Sequence, residues 1–180
     1  MDGTGGSKPE GSRLRPEIFA EGDLVVYPNH GAGYVAGVEE KTVLGEARRY
    51  YVVYIADGEL TLNIPADGHT GLRFCADEEG VAVALAILGE SAEEMPEHWN
   101  HRLRHNQEKL RSGEISRVAE VVRDLSIYGG EHGLSTGERN LLAKAHRILT
   151  SEVAMAKNLT VSEAEALIDR ALRAEGEGPK

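Results

Sequence analysis

The chain has 180 residues, with 30 Asp and Glu against 20 Lys and Arg, a net charge of −10. Its lone cysteine, Cys75, excludes an internal disulfide, a Cys-rich zinc site and a CxxC redox pair. Hydrophobic residues make up 41% but aromatics only 5%, so the core must rest on Val, Leu, Ile and Ala.

In chain order, residues 1–16 form a Gly/Ser/Pro-rich leader with no apolar signal region, expected to be disordered and to leave the protein cytoplasmic. A β-rich domain is expected over 17–72. "DLVVYP" (Asp23–Pro28) reads as a short strand ended by proline, and "NHGAG" as a turn. "GYVAGVEE" is a second strand, "LGEARR" a turn, and "YYVVYIA" (Tyr50–Ala56) the third and strongest strand. Asp57-Gly58 is a hairpin signal. "LTLNIP" alternates, with Leu60, Leu62 and Ile64 on one face, and stops at Pro65. Four or five short antiparallel strands predict a small, strongly bent barrel. Nothing in it looks catalytic: His30 has no nucleophile nearby, and Gly31-Ala32-Gly33 is too short for a dinucleotide fingerprint. An exposed strand edge in such a module invites a protein partner.

A helical domain is expected over 73–175, with a short disordered tail at 176–180. The acids after Cys75 would raise its pKa, so it reads as packing. Asp77–Glu90 opens with acids and turns apolar, as a helix N-terminus does. Its apolar run Val81–Leu88 is far shorter than the ~20 residues of a membrane span. A second helix follows Pro96. In a third, Ile115, Val118, Val122 and Leu125 recur at helical spacing, with Gly129-Gly130 as the stop. Ser135 with Glu138 makes a capping box for a fourth, and Ser162 with Glu165 a candidate box for a fifth.

Charge is segregated. Residues 17–72 hold nine acids against three Lys/Arg, whereas 96–150 hold nine Lys/Arg against seven acids. The cationic stretch opens with "EHWNHRLRHNQEKL", which contains the only tryptophan. Trp99, Leu103, Asn106 and Leu110 share a helical stripe that would bury the indole in the bundle. His98, Arg102, His105 and Lys109 flank it on one side, and Arg104 and Arg111 on the other. An indole at a cationic rim would instead suit a platform or wedge against bases. Spacing leaves both readings open. His98, His101 and His105 lie on one side at a spacing that zinc could use, but no fourth ligand is near, and no metal or cofactor is expected.

Five pieces in order resemble the CarD/CdnL family of bacterial transcription regulators, over about Phe19–Leu172. They are "FAEGDLVVYPNHGAG", "LTLNIP", "GLRFCADEEGV", "WNHRLRHNQEKLRSG", and "VAEVVRDL" with "GLSTGERNLLAKAHRILTSEVAMA". The resemblance implies an α+β protein: a Tudor-like antiparallel β-barrel, then an all-helical bundle of about five helices. It implies a non-enzymatic regulator whose barrel binds the RNA polymerase β subunit through strand edges, here Lys41, Leu62, Asn63 and Ile64. The helices would stabilise the promoter open complex through DNA contacts that do not read sequence. Trp99 would wedge into the minor groove at the upstream bubble edge, with Arg102, Arg104 and Arg139 near phosphates. The protein would act as a monomer, away from membranes. Departures are Asn63 and Lys41 where relatives carry Arg, Leu103 in place of Tyr, and His101 in place of Arg. They imply a polymerase contact resting more on main-chain pairing and a pH-sensitive DNA contact. The alternative is a protein-binding module whose helices are purely structural.

Overall fold

The β-branched and tyrosine-rich segments of the first half pair into one antiparallel sheet. The structure, a computed structural model, describes residues 19–56, 59–67 and 71–174. The expected leader and tail, and the Asp57-Gly58 turn, lie outside these residues. The strands are β1 (Leu24–Tyr27), β2 (Gly31–Val43), β3 (Glu46–Ile55), β4 (Leu60–Pro65) and β5 (Arg73–Phe74). Their order is β4-β3-β2-β1-β5, so the sheet is open, where the sequence predicted a barrel. A bulge between Val35 and Gly37 interrupts the β2–β3 register, and such an extra residue adds bend and twist without closing a ring. The "LGEARR" turn shrinks to Leu44-Gly45, because Glu46–Arg49 continue the ladder against Glu40–Val43.

One sheet face carries Val25, Val35, Tyr51, Val53, Ile55 and Ile64, and closes with Phe19 and Leu72 into a small core. The larger core lies among α1 (Glu78–Leu88), α2 (Trp99–Ser112), α3 (Ile115–His132), α4 (Thr136–Lys157) and α5 (Val161–Arg173). The predicted third-helix stripe is observed: Ile115, Val118, Val122 and Leu125 are all buried. Two boundaries differ from expectation. Helix α3 runs through Gly129-Gly130 and stops at Gly133, whose φ of 76° only glycine adopts readily. The α5 capping box is Thr160 with Glu163, two residues earlier than Ser162 with Glu165. Both pairs fit the spacing, but Asn158 in the left-handed region has already ended α4 and delivers Thr160 to the cap position.

Helix α4 joins the two cores. Ser151 Oγ accepts from Ala32 N–H at 3.0 Å and donates to the Ile148 carbonyl at 2.8 Å. This approach requires glycine at 31, where φ is +95° and an added Cβ would meet Ser151 Oγ at 2.7 Å. Beside it, Glu152 takes a two-pronged bond from Arg73 at 2.6 and 2.8 Å. Arg73 Nε also donates to the Gly113 carbonyl, at 2.6 Å. The C-terminal end of α2 is thereby tied to the sheet. Its 14 residues then carry the opposite end about 21 Å away, at ~1.5 Å rise per residue.

Candidate nucleic-acid interface

Trp99 is the first residue of α2 and is 57% exposed. The core reading is therefore overturned. The buried residues of α2 are Arg102, Asn106, Lys109 and Leu110, and Leu103 packs half-buried against the core, so of the predicted stripe only Trp99 lies outside. Ion pairing widens the buried face to take in Arg102 and Lys109. Lys109 meets Glu93, Glu120 and Asp124 at 2.9, 3.0 and 3.2 Å. Burial works against its charge, but these carboxylates outweigh it and hold the Lys109 pKa above that of an ordinary lysine. Arg102, 3% exposed, meets Glu138 at 2.6 Å. These two cations leave the expected rim for the interior, and the indole moves to the surface.

The Arg102 contacts define the local architecture. Its Nε bonds one oxygen of Glu138 at 2.6 Å, while one terminal nitrogen donates to the Pro96 and Glu97 carbonyls, both at 3.0 Å. The guanidinium lies 3.9 Å from the Tyr128 ring centroid. The other Glu138 oxygen accepts from the Ser135 N–H at 2.9 Å and hydroxyl at 2.6 Å, which completes the α4 capping box. One carboxylate thus caps α4 and, through Arg102, fixes the turn that leads into Trp99. Burial alone would raise the Glu138 pKa; the bonds from Ser135 and Arg102 outweigh it and hold the pKa below the usual glutamate value.

The N-terminal ends of α2 and α4 consequently sit side by side, and Leu103 packs on Gly137. The α2 cap residue, His98, makes no side-chain capping bond, and the His101 N–H donates instead to Asn100 Oδ1 at 2.9 Å. On α4, exposed Arg139 folds back on the Leu134 carbonyl (2.5 Å) and Thr136 Oγ1 (2.9 Å), with no carboxylate against it among the described residues. Arg104 is exposed, and no described residue bonds to it. The His98 and His101 rings lie 6.0 Å apart. Among the described residues no group of three or more His, Cys, Asp or Glu could hold a metal.

The four expected polymerase positions split between the sheet faces. Lys41 donates to Asn63 Oδ1 at 2.9 Å on the outer face, near the Tyr50 ring. Ile64, 4% exposed, packs in the β core, with Leu62 against it. Strand β4 forms one edge of the sheet, so its free side offers main-chain pairing. At the domain joint, Cys75 has its thiol pushed up to about 12 by burial and then by Glu152. Sequence reasoning missed the Arg102–Glu138 pair, because 36 residues separate its members. The available signal was the capping-box glutamate itself, which has a second oxygen to spend.

A bent antiparallel sheet followed by five helices, with an exposed indole beside basic helix ends, defines an α+β protein. Residues 19–73 match the CarD-like/TRCF RID domain, and residues 83–169 the CarD C-terminal domain. A curated relative from Bacillus subtilis (strain 168), named "Putative transcription factor YdeB", is 35% identical over 147 residues, 79% of this chain and 95% of that protein. The chain belongs to the CarD/CdnL family, a family of transcription regulators. Among the described residues no helix is long and apolar enough to cross a membrane.

Proposed function

We propose that this protein binds the RNA polymerase β subunit through its sheet and stabilises the promoter open complex through its helical domain. The β4 edge would take the polymerase by strand addition, with Lys41 and Asn63 contributing side chains. Leu62 and Ile64 would contribute main chain, because their side chains face the β core. Trp99 would wedge into the minor groove at the upstream edge of the bubble, and Arg104 and Arg139 would meet phosphates. None of these contacts reads base identity. Arg102 serves the same site from inside, by holding the Pro96–Glu97 turn.

The observation that carries this reading is the 57% exposure of the only tryptophan on a turn anchored from beneath. An exposed large apolar ring on a clamped backbone is preorganised for a partner. The test is open-complex lifetime with bacterial RNA polymerase. Trp99→Ala should retain polymerase binding yet lose the lifetime gain. Equal lifetimes for wild type and variant would sink the wedge. Polymerase capture with an unchanged DNA footprint would leave only a protein-binding module with structural helices.

A further inference from the structure

Eight of the described Lys and Arg side chains are paired with carboxylates of this chain. Lys41, Arg48, Arg73, Arg102, Lys109, Arg117, Arg123 and Arg173 each have an acid within 4.0 Å. One groove gathers two cations, Arg111 and Lys144, that no described carboxylate pairs. It lies between α2 and α4, has a volume of about 450 Å³, and runs from Gly137 to Asn29 in the β1–β2 turn. Gln107 and Arg111 line it from α2, and Asn140 and Lys144 from α4. Among the described residues its lining contains no Asp or Glu, in a chain of net charge −10. Arg111 is exposed and bonded to no described residue. Lys144 bonds only the neutral Asn29 Oδ1, at 3.1 Å.

We propose that this groove is a second phosphate-binding track, which takes the sugar-phosphate backbone of DNA beyond Trp99. Two cations and three neutral amide side chains supply charge and hydrogen-bond donors with no acid to repel an anion. The position is continuous with the proposed interface. Arg104 and Arg111 are seven residues apart and share one face of α2. Gly137, at the groove's mouth, follows the Ser135 cap and precedes Arg139. Through Asn29 the track reaches the β domain, so DNA would touch both halves of the chain. The inference rests on the DNA-binding reading of Trp99 and Arg139.

The test uses the full chain and a fluorescent duplex, with anisotropy titrations repeated over a salt series. Arg111→Gln with Lys144→Gln should weaken binding and flatten the log–log salt slope by about 2, roughly one for each phosphate no longer neutralised. The weakening should be equal on unrelated duplex sequences. Arg111→Lys with Lys144→Arg should restore the slope. A wild-type slope in the Gln variant, alongside weakened binding by Arg139→Ala, would overturn the groove and leave the proposed interface standing. A wild-type chain that ignores duplex even at low salt would overturn both. Loss of polymerase binding with an unchanged DNA slope would assign the groove to a protein surface and overturn the track.

Discussion

Arg102 shows how one side chain can serve a site without facing it. Its guanidinium is inside, between Glu138, the Tyr128 ring and two carbonyls of the turn before Trp99. A phosphate-contacting cation and a positioning cation make different predictions. Arg102→Ala should shorten the open complex as Trp99→Ala does, yet leave the salt slope of duplex binding unchanged, because every phosphate-facing cation stays in place. It should also destabilise the fold by about 3 kcal/mol, since Glu138 stays buried without its cation. Arg102→Lys separates the two effects: it keeps a charge near Glu138 but cannot span both carbonyls, so lifetime should fall more than stability. Trp99→Ala should cost less than about 1 kcal/mol by urea denaturation, because the indole is largely solvated. Cys75 gives a chemical check. With its thiol at about 12, it should resist alkylation at pH 8 in the folded protein and react only on unfolding.

At the scale of elements, helices were legible where apolar periodicity set the buried face and illegible where ion pairs did. Helix α3 buries the stripe its spacing predicts, Ile115 to Leu125. Helix α2 does so only in part: Leu103, Asn106 and Leu110 face the core, but Asp124 and Glu138, both 0% exposed, draw Lys109 and Arg102 inward from another part of the chain while Trp99 stays out. A helical wheel contains no information about such partners. The Ser135–Glu138 box was readable because both members lie within one turn, whereas Ser162–Glu165 lost to Thr160–Glu163 through a backbone stop that spacing does not encode. The sheet's strands were legible and its lack of closure was not, since closure depends on pairing between distant edges. The family motifs pointed to Trp99, Arg102, Arg104 and Arg139 alike, and could not tell an outward Arg104 from an inward Arg102. The α4 start also has a pH signature. Glu138 titrates below the ordinary value near ~4.3 when folded, so its stabilisation is complete above that value. It is lost as pH falls through the lower folded value. Glu138→Gln should therefore flatten the acid limb of a stability–pH curve; an unchanged limb would show that the carboxylate is not ionised in the fold.

At the scale of the whole molecule, the proposed function needs two surfaces held at a fixed distance, and Arg73 with Glu152 ties the halves that carry them. The pair joins β5 to α4, while Arg73 also grips Gly113 at the end of the helix that carries Trp99. On the proposed function, the net charge of −10 would keep affinity for free DNA weak; anchoring to a protein partner would raise the local concentration of the helix ends at DNA, provided the joint is rigid. Removing the cation alone strands Glu152, whose side chain is 0% exposed. Arg73→Ala should cost about 3–5 kcal/mol in urea denaturation. The apolar double variant Arg73→Leu with Glu152→Leu should recover most of that loss, because no buried charge is left unpaired. About 1 kcal/mol should stay missing, since the Ala76 N–H no longer has the Glu152 oxygen it reaches at 3.0 Å. The double variant also frees the Gly113 carbonyl, so α2 loses its tie to the sheet. A stable double variant with a wild-type open-complex lifetime would show that the joint contributes stability only; a stable one with a shortened lifetime would show that the spacing of the two surfaces is itself part of the function.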